Sequence, residues 1–161
     1  MYTIGILTSS DTGSKGERED GSGPAIKEMV ADIGIVSAYK IVPDNRRIIS
    51  ETLIQWSDEK HLNLILTTGG TGFSKRDITP EATLDVVQRL VPGIPEAMRQ
   101  ESLNVTQTAM LSRATAGIRG ETLIINLPGS PKACRECLEV ILKPLKHGLD
   151  ILMGNSSNCA R

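Results

Sequence analysis

An apolar run, Leu62-Asn63-Leu64-Ile65-Leu66, leads straight into Thr67-Thr68-Gly69-Gly70-Thr71-Gly72. This junction limits the folds open to the chain more than any other stretch. A short apolar run bounded by glycine reads as a buried strand. Three glycines in four positions at its end let the backbone turn sharply and present a concave row of N–H donors, which suits a phosphate or carboxylate. Arg76 and Asp77 follow, and then Thr79-Pro80-Glu81, where Thr79 is expected to cap a helix whose first residue is Pro80. Strand, glycine nest, charged loop and helix start together make a site.

The rest of the chain repeats the alternation of strand-like and helix-like segments, the mark of an α/β sheet with helices on both faces. Strands are expected near 3–9, 35–42, 62–67, 115–118 and 122–127. The tight link Arg119-Gly120-Glu121 makes the last two an antiparallel pair, so the sheet is mostly parallel with one antiparallel edge. Residues 9–23 are polar, glycine-rich and longer than a usual connection. One helix is expected to start at Pro24, carry Ile26, Met29, Val30 and Ile33, and stop at Gly34. A second carries Ile48, Ile49, Leu53 and Trp56, with Asp44 as its cap. Leu84, Val87, Leu90 and Val91 suggest a third, broken by Pro92-Gly93, and Pro95 a fourth. A last long helix runs from Cys134 to Leu152, kinked or divided at Pro144. Residues 1–154 read as one domain and 155–161 as a disordered polar tail.

Composition excludes several function classes. A net charge of -1 and a pI near 6.1 give no basic field for nucleic acid, and four aromatic residues (Tyr2, Tyr39, Trp56 and Phe73) offer little for base stacking. No apolar stretch approaches the ~20 residues of a membrane helix. The N-terminus reads as a strand and not a signal peptide, so a soluble, cytoplasmic protein is expected. Cys134, Cys137 and Cys159 cannot all pair within one chain, which fits reduced thiols. Cys134-Arg135-Glu136-Cys137 matches C-x-x-C, but no second pair accompanies it, and the spacing equally places two small residues on one helix face.

In open α/β sheets, ligands collect beyond the carboxyl ends of parallel strands. Four segments fall at such ends: 8–12, Pro43-Asp44, 69–77 and Pro128-Gly129-Ser130. If the strands are parallel neighbours, Asp44 and Asp77 converge on one cleft. Two carboxylates beside a phosphate nest would repel their ligand, and Mg²⁺ resolves that conflict by taking carboxylate and phosphate oxygens together. The combination points to a nucleoside triphosphate. Taken singly, Asp44 is more often a cap, Asp77 a charge paired to Arg76 or Lys75, Gly69-Gly70 a turn, and Asp11 an organiser of its own loop. Their joint placement favours the site. The chain lacks the lysine of a Walker loop and the spacing of G-x-G-x-x-G. Neither His61 nor His147 sits in a metal or nucleophile pattern.

Thr67-Thr68-Gly69-Gly70-Thr71-Gly72-Phe73-Ser74-Lys75-Arg76-Asp77-Ile78-Thr79-Pro80-Glu81-Ala82-Thr83 closely resembles the signature of the MogA/MoaB family of molybdenum-cofactor proteins. Further matches span most of the chain: residues 7–12, Val42-Pro43-Asp44, Met110-Leu111-Ser112-Arg113, 116–120 and 123–131. The likeness is especially near to gephyrin-like G domains. It implies a three-layer α/β sandwich, usually trimeric, and a Mg²⁺-dependent molybdopterin adenylyltransferase. Such enzymes move AMP from ATP to the terminal phosphate of molybdopterin and release pyrophosphate, and a molybdate-inserting partner enzyme takes the product.

The family associates adenylation with two carboxylates, matched here by Asp44 and Asp77. Some MoaB-type members lack the aspartate of the Arg-Asp pair, whereas this chain keeps Arg76-Asp77. In this reading Asp44 and Asp77 hold Mg²⁺ and act in catalysis. The loop of Gly69, Gly70, Thr71 and Gly72 holds the pterin phosphate. Ser10, Asp11, Thr12, Ser112, Pro128, Gly129 and Ser130 make further pterin or phosphate contacts. Two alternatives remain open: a domain related to the molybdate-inserting partner or to CinA-like proteins, and a non-catalytic molybdopterin-binding or scaffolding module.

Overall fold

The computed structural model describes residues 1–155, and the expected tail beyond Asn155 lies outside them. Six strands form one sheet: β1 (Tyr2–Ser9), β2 (Gly34–Val42), β3 (Leu64–Thr68), β4 (Arg89–Leu90), β5 (Ala116–Arg119) and β6 (Thr122–Leu127). Their order is β2-β1-β3-β6-β5-β4. The first four in that order are parallel neighbours, and β5 runs antiparallel to both β6 and β4. Gly120, at a φ of 55°, makes the tight turn between β5 and β6.

Side chains alternate across this sheet with the period of two that strands impose. Ile4, Ile6, Leu64, Leu66, Leu123, Ile125 and Leu127 face one apolar layer. It is completed by helices α2 (Ser22–Met29), α5 (Gly93–Ser102) and α6 (Pro131–Leu152). Leu7, Ile65 and Ile124 face the other, beneath α3 (Arg46–Ile54) and α4 (Thr79–Leu84). Burial on both faces explains why β3 and β6 read as continuous apolar runs. The three-layer sandwich with helices on both faces is therefore the observed architecture. Among the described residues, no helix is long and apolar enough to cross a membrane.

Several elements depart from expectation. The helix predicted through Val91 ends at Leu84, because the amides of Gln88 and Val91 donate to the carbonyls of Ile118 and Ala116 and build β4 onto the sheet edge. α2 starts at Ser22, two residues before Pro24, because the Asp20 carboxylate accepts the amides of Ser22 and Gly23. The polar loop contains a short turn of helix, α1 (Asp11–Ser14), capped by Ser10. Pro144 does not divide α6, which runs unbroken for 22 residues. Most informative for the site, Asp44 does not cap α3; the side chain of Asn45 does, accepting the Ile48 amide at 3.0 Å. Thr79 likewise is not the cap of α4, whose N-cap position falls on Ile78.

Asn45→Ala should therefore lower unfolding free energy by ~1 kcal/mol in urea titration. Asp44→Asn should leave the stability of α3 untouched, since its side chain makes no cap.

Candidate active site

The turn after β3 is forced by close approach. Gly69 and Gly70 adopt φ values of 91° and 68°, in the left-handed region. A Cβ on Gly69 would lie 2.5 Å from the Ser9 carbonyl oxygen, and one on Gly70 would lie 2.4 Å from Thr79 Oγ1. Glycine is thus required by conformation and by space at both positions. The Thr79 amide donates to the Gly70 carbonyl at 3.1 Å, and Thr68 Oγ1 donates to the Pro128 carbonyl at 2.6 Å.

One arginine holds the far side of the turn. The Arg113 amide donates to the Thr71 carbonyl at 2.9 Å. Its Nε and Nη2 each donate at 2.7 Å, to the carbonyls of Gly72 and Asp77 respectively, while Nη1 pairs with Glu81. The Arg113 guanidinium in turn holds the Glu81 carboxyl below its ordinary range. Beneath lies Asn126, fully buried, whose Nδ2 donates to the hydroxyls of Thr67 and Thr83 at 2.9 Å. Its Oδ1 accepts the Thr115 amide. These bonds fasten β3, β6, α4 and residues 112–115 to one another.

The carboxylates gather around the same turn. Asp44 accepts Ser9 Oγ at 2.6 Å and the Asp11 amide at 3.1 Å, and its own amide donates to Asp11 Oδ1 at 3.0 Å. Asp11 also takes a two-pronged contact from Arg76, at 2.9 and 3.0 Å. That guanidinium, followed by the Asp44 amide, holds the Asp11 carboxyl below its ordinary range. Arg76 thus pairs with Asp11 and leaves Asp77 to accept the Ser74 amide at 2.9 Å. Asp77 Oδ2 lies 2.9 Å from where a Gly72 Cβ would sit, and Asp44 Oδ1 lies 3.5 Å from the corresponding point at Gly70. The two aspartates flank the glycine turn.

Two cavities open beside it. The first, about 540 Å³, draws residues from all four parallel strand ends, among them Ser10, Asp11, Thr12, Asp44, Gly69, Gly70, Asp77 and Gly129. Its wall carries Asp11, Glu19, Asp20, Asp44 and Asp77 against Arg18 and Arg76, so an anion entering it needs a cation to accompany it. Asp20 is partly buried, which opposes its charge. The hydroxyls of Tyr39 and Thr8 and the amide of Gly23 more than offset this and hold the carboxyl low. Burial and the facing Asp20 push the Tyr39 hydroxyl up to about 12.

The second cavity, about 260 Å³, lies on the other side, bounded by Thr71, Gly72, Ser112 and Pro128 and by apolar Pro95, Met98, Ala109 and Leu111. Ser130 belongs to neither wall. It caps α6, accepting the Ala133 amide at 3.1 Å. Sequence reasoning about the site left out Arg113, Asn126 and Asp20. An arginine set in the apolar approach to β5 was a usable signal for the first; Asp20, in a loop dense with charge, had none. Cys134 and Cys137 are core residues of α6, and burial raises both thiols, Cys134 to about 11.

A family profile described as "Probable molybdopterin binding domain" matches residues 5–147. The chain belongs to this family. It is 48% identical over 155 residues to the molybdopterin adenylyltransferase of Helicobacter pylori strain J99, covering 94% of this chain and 88% of that protein. It is 45% identical to the gephyrin of Dictyostelium discoideum, covering 94% of this chain and 22% of that much longer protein. Among solved structures, the molybdopterin biosynthesis enzyme MoaB of Thermus thermophilus superposes with a TM-score of 0.91 at 50% identity. That match covers 96% of this chain and 98% of the other.

Arg113→Lys keeps the charge but loses the fork that reaches two carbonyls. Amide hydrogen exchange in residues 70–77 should accelerate by about tenfold or more while the core strands keep their protection. Because folding depresses Asp20 below 3.8, its stabilisation is full above that pH and drains away as pH falls. Tyr39→Phe removes one donor to that carboxylate, so the acid-unfolding midpoint followed by circular dichroism should move to higher pH.

Proposed function

We propose that this chain is a molybdopterin adenylyltransferase of molybdenum-cofactor biosynthesis. The terminal phosphate of molybdopterin attacks the α-phosphorus of ATP. A new oxygen–phosphorus bond forms as the bond to the bridging oxygen breaks, and pyrophosphate leaves. No protein nucleophile is needed, which agrees with the burial of Cys134 and Cys137 and the raised pKa it gives their thiols. The observation that carries the reading is the pair Asp44 and Asp77 beside the glycine turn, with a polar cavity and a more apolar one opening next to it.

The first cavity suits the triphosphate, and its excess of carboxylates calls for a cation to bring the phosphates in. The second suits the pterin and its side chain, with Ser112 as a polar contact among Met98, Leu111 and Pro95. Both phosphates then meet at Gly69, Gly70 and Gly72. Held at that junction, donor and acceptor phosphates are aligned for in-line transfer, and positioning supplies much of the acceleration.

The donor set fits Mg²⁺. Among the described residues, no three His, Cys, Asp or Glu side chains form a ready-made metal cage. Mg²⁺ is usually held by one or two carboxylates with substrate phosphates and water. Asp44 and Asp77 are the carboxylates placed to hold it, and when bound it would neutralise charge on the phosphates. Asp11 serves this arrangement from behind, since its bonds to the Asp44 amide and to Arg76 fix where Asp44 stands. The resemblance also implies a homotrimer and a molybdate-inserting enzyme as recipient of the product. Leu90, exposed on the edge strand β4, is apolar surface that assembly there would cover.

Incubation with molybdopterin, ATP and Mg²⁺ should release pyrophosphate and yield adenylated molybdopterin by mass spectrometry. Asp77→Asn and Asp44→Asn should each fold normally and lose ~10²-fold or more in turnover. Chelation of divalent cations should stop the wild-type reaction. Tight pterin binding with no pyrophosphate release would replace the enzyme with a carrier.

A further inference from the structure

Glu136 is the acid in the wall of the second cavity. That cavity is a cleft between α5 and α6, bounded at the glycine turn by Thr71, Gly72 and Pro128. Met98, Arg99 and Ser102 line it from α5, and Ala133, Glu136 and Cys137 from α6, residues that share a helix face at spacings of three and four. Most of the polar side chains there are already spent. Ser102 Oγ bonds Cys137 Sγ at 3.7 Å, and the hydroxyls of Thr106 and Thr108 bond each other at 2.9 Å. Arg99 Nη1 donates to the carbonyls of Ser112 and Ala114, and Ser112 Oγ accepts the Ala114 amide. Glu136 is half-buried, and its ion pair is with Lys132, one turn earlier on α6, at 3.9 Å. That separation is too long for a hydrogen bond, and the lysine side chain is 81% exposed, so the pair does little to satisfy the carboxylate.

An ionised carboxyl only accepts hydrogen bonds, and its two oxygens are best met by two N–H groups side by side. The ring of a pterin offers such a pair, since its N3–H and its 2-amino group point the same way from neighbouring positions. Adenine does not: beside its amino group stands N1, a lone pair that a carboxylate repels. The rest of the cleft suits a flat ring, with apolar surface from Pro95, Met98 and Leu111. Position agrees as well. Glu136 stands about 7.5 Å of helix rise beyond Pro131, the first residue of α6, which leaves Thr71, Gly72 and Pro128 to the phosphate end.

We propose that Glu136 is the residue that reads the heterocycle: its two carboxylate oxygens accept N3–H and the 2-amino group of a pterin lying in the second cavity. The inference rests on the functional reading above and adds to it the group that sorts the two substrates. A pterin completes the carboxylate, whereas adenine would set its N1 against it, so ATP is kept to the first cavity.

Glu136→Gln keeps the shape of the side chain and puts an amide N–H₂ where an acceptor stood, and Glu136→Ala removes both oxygens. Calorimetric titration with molybdopterin, and separately with Mg²⁺ and α,β-methylene-ATP, reads the two affinities, and thermal melting reads the free protein. Both variants should melt with the wild type and bind the ATP analogue as it does, but bind molybdopterin about tenfold or more weakly. Lys132→Ala should leave all three measurements unchanged. In competition, 6-hydroxymethylpterin should displace molybdopterin from the wild type at lower concentration than 6-hydroxymethyllumazine, in which an oxygen replaces the 2-amino group. Glu136→Gln should erase that preference. Unchanged molybdopterin affinity in both Glu136 variants overturns the proposal, and so does equal displacement by the two rings at the wild type. A loss that Lys132→Ala reproduces, or that extends equally to the ATP analogue, makes Glu136 a support of α6 and overturns it too. A wild-type protein that does not bind molybdopterin would remove the functional reading and this proposal together; wild-type binding with unaffected Glu136 variants removes the proposal alone.

Discussion

The parallel registration of β1, β3 and β6 is the constraint from which the site follows. Thr8 pairs with Thr68, and Thr68 with Leu127, so three strands stop at one level of the sheet. Their faces are covered by apolar layers, which leaves the strand ends as the place where polar backbone can gather. The chain must then turn within a very small space. Gly69 passes so near the Ser9 carbonyl that this connection can be built only with glycine. The tight glycine turn thus results from the packing of the sheet itself.

Such an edge would be unstable if its acids were left unanswered. Three of them take donors from another connection. Asp44, after β2, is met by Ser9 and Asp11 after β1. Asp11 is met by Arg76 after β3. Asp20 binds Thr8, Tyr39 and the start of α2. The carboxylates thus act as struts between loops, and the remaining charge is concentrated where Asp44 and Asp77 face the glycine turn. A surface held open this way disfavours an unaccompanied anion, which is why the proposed polyphosphate would enter with a cation.

Five of the six strands, the parallel sheet with one antiparallel edge, and the meeting of Asp44 and Asp77 at the glycine turn were legible because they rest on local signals: alternating apolar runs, glycines after β3, and the tight link between β5 and β6. What escaped depends on partners distant in the chain. Leu84, Val87, Leu90 and Val91 keep helical spacing, yet Gln88 and Val91 find better hydrogen bonds on β5, about 30 residues away, and the segment becomes an edge strand. Asp44 and Asn45 are equally good caps by composition. Asn45 takes the role because Asp44 is claimed by Ser9 and Asp11, residues that local sequence cannot bring into view. Arg76 stands beside Asp77 in sequence but reaches across to Asp11, since neighbours on a turn point apart. The family resemblance extended the reading to Ser112 and Pro128, which line the second cavity, and to Ser130, whose side chain is spent on capping α6.

The relation between the two cavities decides how such a site can be specific. They are separated by one loop, and a single side chain fixes it: Arg113 bonds the carbonyls of Thr71, Gly72 and Asp77 while adjoining Ser112 in sequence. The wall of the second cavity and the carboxylate of the first therefore share one rigid support, itself anchored to α4 through Glu81 and resting on Asn126. A displacement of either wall would break several charge-assisted bonds at once, so the distance between the cavities is set by the protein and not by its ligands. For the proposed transfer between two phosphates, that fixed separation would select a pair of substrates whose phosphates can meet at the glycine turn, and would reject molecules that fill either cavity alone.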